Sequence, residues 1–410
     1  MNINNDKNTS CRHSEWFDTT VQRRGSGSMK WDAAADDDVI PMWVADMDFA
    51  AAPAIREALR RRVEHGVYGY EQVPDSYYDA IVRWFDRRHN WHIERQWIIY
   101  TSGVVPALSA TIRALTIPGD NVLIQSPAYN CFFSSIRNQG CQILETALIR
   151  QNGRYVMDWQ DFEAKCAEEK TTLFVLCNPH NPTGRVWTPE ELRKMNDICM
   201  KHGVKVVSDE IHCELVMPGH RFTPFATVSE ECGRNVVTLN SPSKSFNIAG
   251  LQIANIICRN DEWRRRIDRI INIFEVCDVN PFGPAALEAA YNESEEWLDA
   301  LNVYISDNYR WLLEYFGREV PQLKVTSLEG TYLVWVDISA TGLDSTTLAD
   351  RLLHDGHVMI SAGTMYGQTT GRDFIRINIA CPRKTMIEGL QRIVATIKPL
   401  IAKNQLAIKH

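Results

Sequence analysis

The 410-residue sequence has no excess of basic charge: 44 Lys and Arg stand against 51 Asp and Glu, for a formal net charge of −7. Such a chain offers no basic stripe to follow a phosphate backbone, which removes nucleic acid as a partner. No apolar run approaches bilayer length, which removes a membrane span. The 11 cysteines are scattered, with no Cys-x-x-Cys pair and no cluster with histidines, so no metal is expected. The start Met1-Asn2-Ile3-Asn4-Asn5-Asp6-Lys7 lacks an apolar signal core, and with structural thiols the expected compartment is a reducing cytoplasm. What is there is 45% hydrophobic and 23% charged, ordinary globular material for one large domain and a smaller one. Small soluble molecules are the default partners.

Residues 1–12 are polar and expected to be disordered, with order beginning near Trp16-Phe17-Asp18. The segment Ile40-Pro41-Met42-Trp43-Val44-Ala45-Asp46-Met47-Asp48-Phe49 mixes large apolar residues with two acids. It reads either as a packed arm with Asp48 capping the next helix or as a loop lining a pocket. Pro53 opens a helix that ends at His65-Gly66, and Val67-Tyr68-Gly69-Tyr70 follows with two phenols. A second helix is predicted over Asp75–His89. Then come a strand, Trp97–Tyr100, a small-residue turn Thr101-Ser102-Gly103, and a helix beginning Val104-Val105-Pro106. Such a helix start presents free N–H groups and a positive dipole end to an anion, although an ordinary βα turn looks the same.

From there short apolar runs alternate with helical stretches: Val122–Ile124, Gln142–Leu144, Leu173–Leu176, Val204–Val207, Val236–Leu239 and Ile253–Ile257. That pattern predicts a largely parallel sheet with helices on both faces. Ligands of such sheets sit at the carboxyl ends of strands. There the sequence places Ser126-Pro127-Ala128-Tyr129, Asn178-Pro179-His180-Asn181-Pro182-Thr183-Gly184, Ser208-Asp209-Glu210-Ile211-His212 and Ser241-Pro242-Ser243-Lys244. Lys244 lies in a turn of small, hydroxylated residues. It reads as a solvated surface lysine or as an amine with room to join an aldehyde cofactor such as pyridoxal phosphate, with hydroxyls for its phosphate. Beyond about residue 290 the pattern changes. A helix over Glu295–Phe316 carries an apolar stripe that includes Leu312 and Leu313, and strands at Thr331–Asp337, Val358–Ile360 and Phe374–Ile379 precede a closing helix over Lys384–Ile401. Arg376 interrupts an apolar strand, and a buried guanidinium needs an anion, either internal or on a ligand.

Four motifs in this order, Asn-Pro-His-Asn-Pro-Thr-Gly, Ser-Asp-Glu-Ile-His, Ser-Pro-Ser-Lys-Ser-Phe-Asn and Phe-Ile-Arg-Ile-Asn, carry a resemblance over roughly residues 14 to 400. The chain resembles fold-type I pyridoxal-phosphate enzymes of the class I and II aminotransferase superfamily, most closely the cystathionine β-lyase or cysteine-S-conjugate β-lyase branch. The resemblance implies an α/β fold: a large domain (61–290) with a mostly parallel seven-stranded sheet flanked by helices, a smaller α+β domain (291–410), and an arm (13–60) contributing to the small domain. It implies pyridoxal 5′-phosphate as cofactor. Lys244 would join the cofactor's aldehyde and serve as the catalytic amine. Asp209 would pair with the pyridine nitrogen, Asn181 would bond the phenolic oxygen, Tyr129 would stack on the ring and His212 would neighbour it. Backbone groups of Gly103, Val104 and Val105, with Ser241 and Ser243, would bind the phosphate, joined by Tyr70 from the other subunit of a homodimer. Arg376 would grip the substrate carboxylate, with Asn181 and Tyr129 beside it and Val44, Ala45 and Asp46 on the substrate side.

Two positions depart from the wider pattern. His212 stands where many relatives have tyrosine, and Gln252 where they have arginine. The expected activity is α,β-elimination, releasing a thiol, pyruvate and ammonia from L-cystathionine or another cysteine S-conjugate. Transamination with a 2-oxo acid and a regulatory role that retains the cofactor are the alternatives.

Overall fold

The computed structural model describes residues 15–273 and 278–408; the disorder expected over 1–12 lies outside the described residues. Seven strands form the main sheet: β1 (Ile98–Thr101), β2 (Asn121–Ser126), β3 (Gln142–Ala147), β4 (Thr171–Cys177), β5 (Lys205–Asp209), β6 (Val236–Asn240) and β7 (Ala254–Ile257). Their order is β1-β7-β6-β5-β4-β2-β3. β7 runs antiparallel to both neighbours and all other pairs are parallel. β4, β5 and β6 read as continuous apolar runs because helices cover both faces of a central parallel strand. The covering helices include Val104–Leu115, Asn130–Asn138 and Pro189–Lys201. The last begins where Thr188 and Glu191 exchange hydrogen bonds with each other's backbone and Pro189 fills a position needing no N–H.

A second sheet of four short strands is antiparallel, in the order Lys324–Val325, Leu333–Asp337, Phe374–Asn378, Ser361–Ala362. The strand expected over Val358–Ile360 does not join it. Val358–Met359 instead pairs in parallel with Ile40–Pro41. The long helix runs Glu295–Glu319, and Leu313, counted in its buried stripe, is exposed while Leu312 is fully buried. The 3.6-residue period puts neighbours about 100° apart, and at this turn of the helix Leu313 falls outside the buried stripe.

Two of the contacts that join this sheet to the larger one show how residue type sets them. A hairpin, Ile149–Gln151 with Arg154–Val156, pairs Arg150 with Asp337 and Arg154 with Glu329. At the second, Gly184 adopts φ +72°, and a Cβ there would lie 2.7 Å from Leu328 Cδ1. Only glycine lets the loop after β4 lie so close to the 328–330 backbone, whose N–H groups at Glu329 and Gly330 donate to Gly184 O.

Candidate active site

Six segments converge on one pocket of about 140 Å³: the ends of β2, β4, β5 and β6, the start of the Val104–Leu115 helix, and the irregular stretch around Ala45. Val104, Val105, Tyr129, Asn181, Asp209, His212, Ser243, Lys244 and Ala45 all line it. A larger cleft of about 450 Å³ beside Ser102 and Arg113 brings together no comparable set of amine, carboxylate and imidazole.

Lys244 extends from the turn after β6, and its Nζ donates to Ala45 O at 2.6 Å. Burial pushes its pKa down; Asp46 pulls it up, Arg376 pushes it down, and Asp209 pulls it up. An amine so placed loses its proton more readily than a surface lysine, as a nucleophile must.

Asp209 ends β5 and is 3% exposed. Its Oδ1 accepts one hydrogen bond, from Ile211 N at 3.1 Å, and among the described residues no cation stands within ion-pair distance. Burial raises its pKa to about 7. A buried carboxylate in this state is complementary to a cationic N–H that the protein does not itself supply. Its neighbour Glu210 is pushed up by burial to about 8 and accepts from Ser208 Oγ and Phe225 N.

Arg376 is almost fully buried on the Phe374–Asn378 strand. Its Nη1 donates to Asn181 Oδ1 at 3.1 Å and its Nη2 to Trp43 O at 2.7 Å, while its guanidinium carbon lies 4.6 Å from the centre of the Tyr366 ring. Its Nε has no partner, and no protein carboxylate pairs with it among the described residues. The internal ion pair weighed as an alternative is therefore absent there, and a donor remains for a ligand anion.

His212 is buried, and the cost of desolvating a charge, with Lys244 and Arg376 nearby, lowers its pKa to about 3. It is a neutral imidazole, edge-on to Tyr332, with Nδ1 unpartnered. Gly103 is the N-cap of the Val104–Leu115 helix. Its first-turn N–H groups and the Ser243 hydroxyl at the pocket wall suit an anion. Ser241 does not line the pocket: it is buried, donates to Ile253 O and accepts from Ser243 N. Gln252 is exposed with φ 51° and adds no cation. Tyr70 stands 98% exposed, away from this chain's own pocket.

Asp48 does not cap the following helix, whose N-cap is Ala52. Its carboxylate faces Arg23, Lys30 and Trp31. The stretch 43–49 is instead held against the pocket by side chains that the motifs contain but that carried no assigned role. Asn378 Nδ2 donates to Val44 O and Asp46 O, both at 2.6 Å. Asn247 Nδ2 donates to Met47 O and Phe49 O, and Tyr332 OH to Ala45 O at 3.0 Å. Asn378 could have been found from spacing, since residues i and i+2 of a strand share a face and Arg376 is already there. Tyr332 gave no local signal.

The residues of the pocket fit pyridoxal phosphate: Asp209 would face the ring nitrogen, Lys244 the aldehyde, Asn181 the phenolic oxygen and Tyr129 the ring, and the helix start with Ser243 would take the phosphate. A doubly covered, mostly parallel sheet carrying this set at its strand ends defines the fold-type I class of pyridoxal-phosphate proteins. Within it, the chain belongs to the aminotransferase class I and II family, whose model matches residues 37–393. It is 41% identical over 385 residues to cystathionine β-lyase PatB of Bacillus subtilis, covering 93% of this chain and 99% of that one. Cystalysin of Treponema denticola, whose structure contains pyridoxal 5′-phosphate, superposes with a TM-score of 0.90 at 35% identity, over 94% of this chain and 99% of that one. The pyridoxal-phosphate-bound C–S lyase of Staphylococcus hominis does so at 0.87 and 33%, over 93% and 97%.

Proposed function

We propose that the protein is a pyridoxal-phosphate-dependent C–S β-lyase that cleaves L-cystathionine or related cysteine S-conjugates to a thiol, pyruvate and ammonia. The observation that carries the reaction type is the 41% identity to a cystathionine β-lyase along nearly the whole of both chains. The pocket supplies the parts that reaction needs. Bound pyridoxal phosphate supplies an aldehyde for the substrate amine and a ring that accepts the electrons released at Cα. Arg376, which has no protein carboxylate paired with it among the described residues and whose Nη1 bonds Asn181 of the pocket wall, would bind the substrate α-carboxylate and orient the substrate's Cα. Lys244 Nζ, poised by burial to lose its proton, takes the Cα proton. Asp209, buried and without a protein cation among the described residues, would favour a protonated ring nitrogen, since a carboxylate in a dry site acts most strongly. A thiolate then leaves Cβ readily because it is a weak base. Transamination would instead return a proton to the cofactor carbon and require a 2-oxo acid to complete the cycle.

Incubating the purified, cofactor-loaded protein with L-cystathionine and no 2-oxo acid separates these outcomes. Pyruvate and free thiol are expected in equal amounts over many turnovers. Product formation only after a 2-oxo acid is added would replace the lyase reading with an aminotransferase one.

We further propose a homodimer in which Tyr70 completes the neighbouring site. Supporting this, Val63, Val67, Tyr68 and Tyr70 are all more than half exposed on one surface stretch, an arrangement that marks an interface. Lys244→Ala chains mixed with Tyr70→Ala chains are then expected to recover activity that neither shows alone, since a mixed dimer contains one intact site. No recovery after subunit exchange would count against a shared site. The free thiols among the described residues suit a reducing cytoplasm as the compartment.

A further inference from the structure

Arg23 and Lys30 lie on an irregular stretch before the first residue pair of any sheet, and neither lines the pocket. Both reach the segment that carries Ala45. Arg23 Nη2 donates to Asp46 Oδ2 at 2.6 Å and Nη1 to Asp48 Oδ1 at 2.7 Å and Met47 O at 3.0 Å. Lys30 Nζ donates to Asp48 Oδ2 at 2.8 Å and lies 3.5 Å from Asp46 Oδ1. Lys30 and Asp48 are almost fully buried. The four charges cancel, and they are taken out of water where a hydrophobic pair would pack with less penalty. What they accomplish is specific. The carbonyl one residue before Asp46 is the acceptor for Lys244 Nζ, and Asp46 itself acts on that amine through space.

We propose that Arg23, backed by Lys30, is a positioning residue for the reaction: it holds the Asp46 carboxylate away from Lys244 and neutralises it, so that the amine stays free to exchange protons. This rests on Lys244 being the reacting amine. The groups facing that amine are Asp46 from the arm, Asp209 from β5, His212 from the turn after it, Cys131 from the Asn130–Asn138 helix and Arg376 from the small sheet. Asp209 and Asp46 favour the ammonium form, whereas Arg376 opposes it. Asp46 is the member of this set whose charge is balanced by a pair of cations that have no other contact with the pocket. Without Arg23, Asp46 keeps only its 3.5 Å approach to Lys30 and becomes an uncompensated anion beside Lys244. An opposite charge at such range raises a lysine's affinity for its proton.

The test follows the reactivity of Lys244 toward formaldehyde and a borane reductant in the full-length, cofactor-free chain, by mass spectrometry of the peptide carrying Lys244, as a function of pH. Arg23→Met is expected to move the midpoint upward by about one unit or more. Asp46→Asn is expected to move it downward, the double variant to cancel the upward shift, and Arg23→Lys to stay near the parent. The loaded Arg23→Met enzyme should show the same displacement in the pH profile of kcat, with KM little changed. An unchanged midpoint in Asp46→Asn overturns the proposal, even if Arg23→Met fails to fold. So does a double variant that shifts as far as Arg23→Met. The labelling reads the amine whether the chain proves to be a lyase or a transaminase, so failure of that assignment is seen separately.

Discussion

Replacing Lys244 with alanine is expected to lower turnover at least about 10³-fold while leaving the fold and the substrate-carboxylate site intact. The side chain takes part in no structural network beyond its bond to Ala45 O, which Tyr332 OH also occupies. Its removal therefore leaves Ala45 O satisfied and opens space in a pocket already continuous with solvent. The amine's chemistry has no substitute. Glu210 is buried with its carboxylate accepting from Ser208 Oγ and Phe225 N, Asp209 would be taken up by the ring nitrogen, and His212 is a neutral imidazole with its pKa lowered to about 3, too weak a base to replace a lysine. The check is the rate of pyruvate release under single-turnover conditions, with substrate binding followed separately. A rate within tenfold of the parent would show that another group moves the Cα proton. Added methylamine should restore part of the lost rate, because the cavity left behind accepts a small amine.

The second large effect has two signs. Asp209→Asn is expected to slow turnover by about 10²–10³-fold, the range for removing one group that stabilises charge formed in the reaction. The same change should make the cofactor-free protein more stable at neutral and alkaline pH. In the folded chain the carboxyl titrates near 7 instead of 3.8 because burial disfavours its charge. Below the lower value both states hold the proton and there is no penalty. Between the two the unfolded chain releases its proton and the folded one does not, so stability falls as pH rises. Above 7 the penalty is complete, at most about 4 kcal/mol at 1.36 kcal/mol per unit. Asparagine removes it. The melting temperature of Asp209→Asn minus that of the parent should therefore grow from pH 5 to pH 8. A difference that is flat across this range would mean that Asp209 has its cation from the protein. Glu210, pushed up to about 8 chiefly by burial and further by the Asp209 charge, adds a slope of the same sign in the parent; Asp209→Asn removes that repulsion, so the change at Glu210 adds to the difference. The site thus stores a destabilised charge that a bound ring cation would relieve.

Much of the architecture follows from local pattern. The strands of the main sheet and the helices Asp75–His89 and Pro189–Lys201 were legible because turn residues and hydrophobic periods act within a dozen positions. So were Lys244, Asp209, Asn181 and Tyr129. Each follows a strand that must be central and buried, so each must emerge at the same edge. Val358–Met359 reads as a strand, but its pairing is not legible because two apolar residues carry no record of their partner, and that partner, Ile40–Pro41, lies over 300 residues away. Leu313 was placed in the core because a list of apolar residues does not say which of two adjacent ones turns inward. Asp48 offered a plausible cap, but the cations that claim it come from residues 23 and 30.

The sequence by itself determined the class of fold, the strand ends that meet at the pocket, and the amine, carboxylate and guanidinium proposed to act there, because these depend on short-range order and on residue type. Only the tertiary structure decided how those groups are tuned. It placed Asp209 without a cation of its own, left Arg376 Nε free, tied Ser241 into the turn it belongs to, and brought the Ala45 carbonyl to Lys244 under a clamp of distant charges. The physical reason is that pKa and hydrogen-bond occupancy are set by everything within a few ångströms. In this fold those neighbours come from segments hundreds of residues apart.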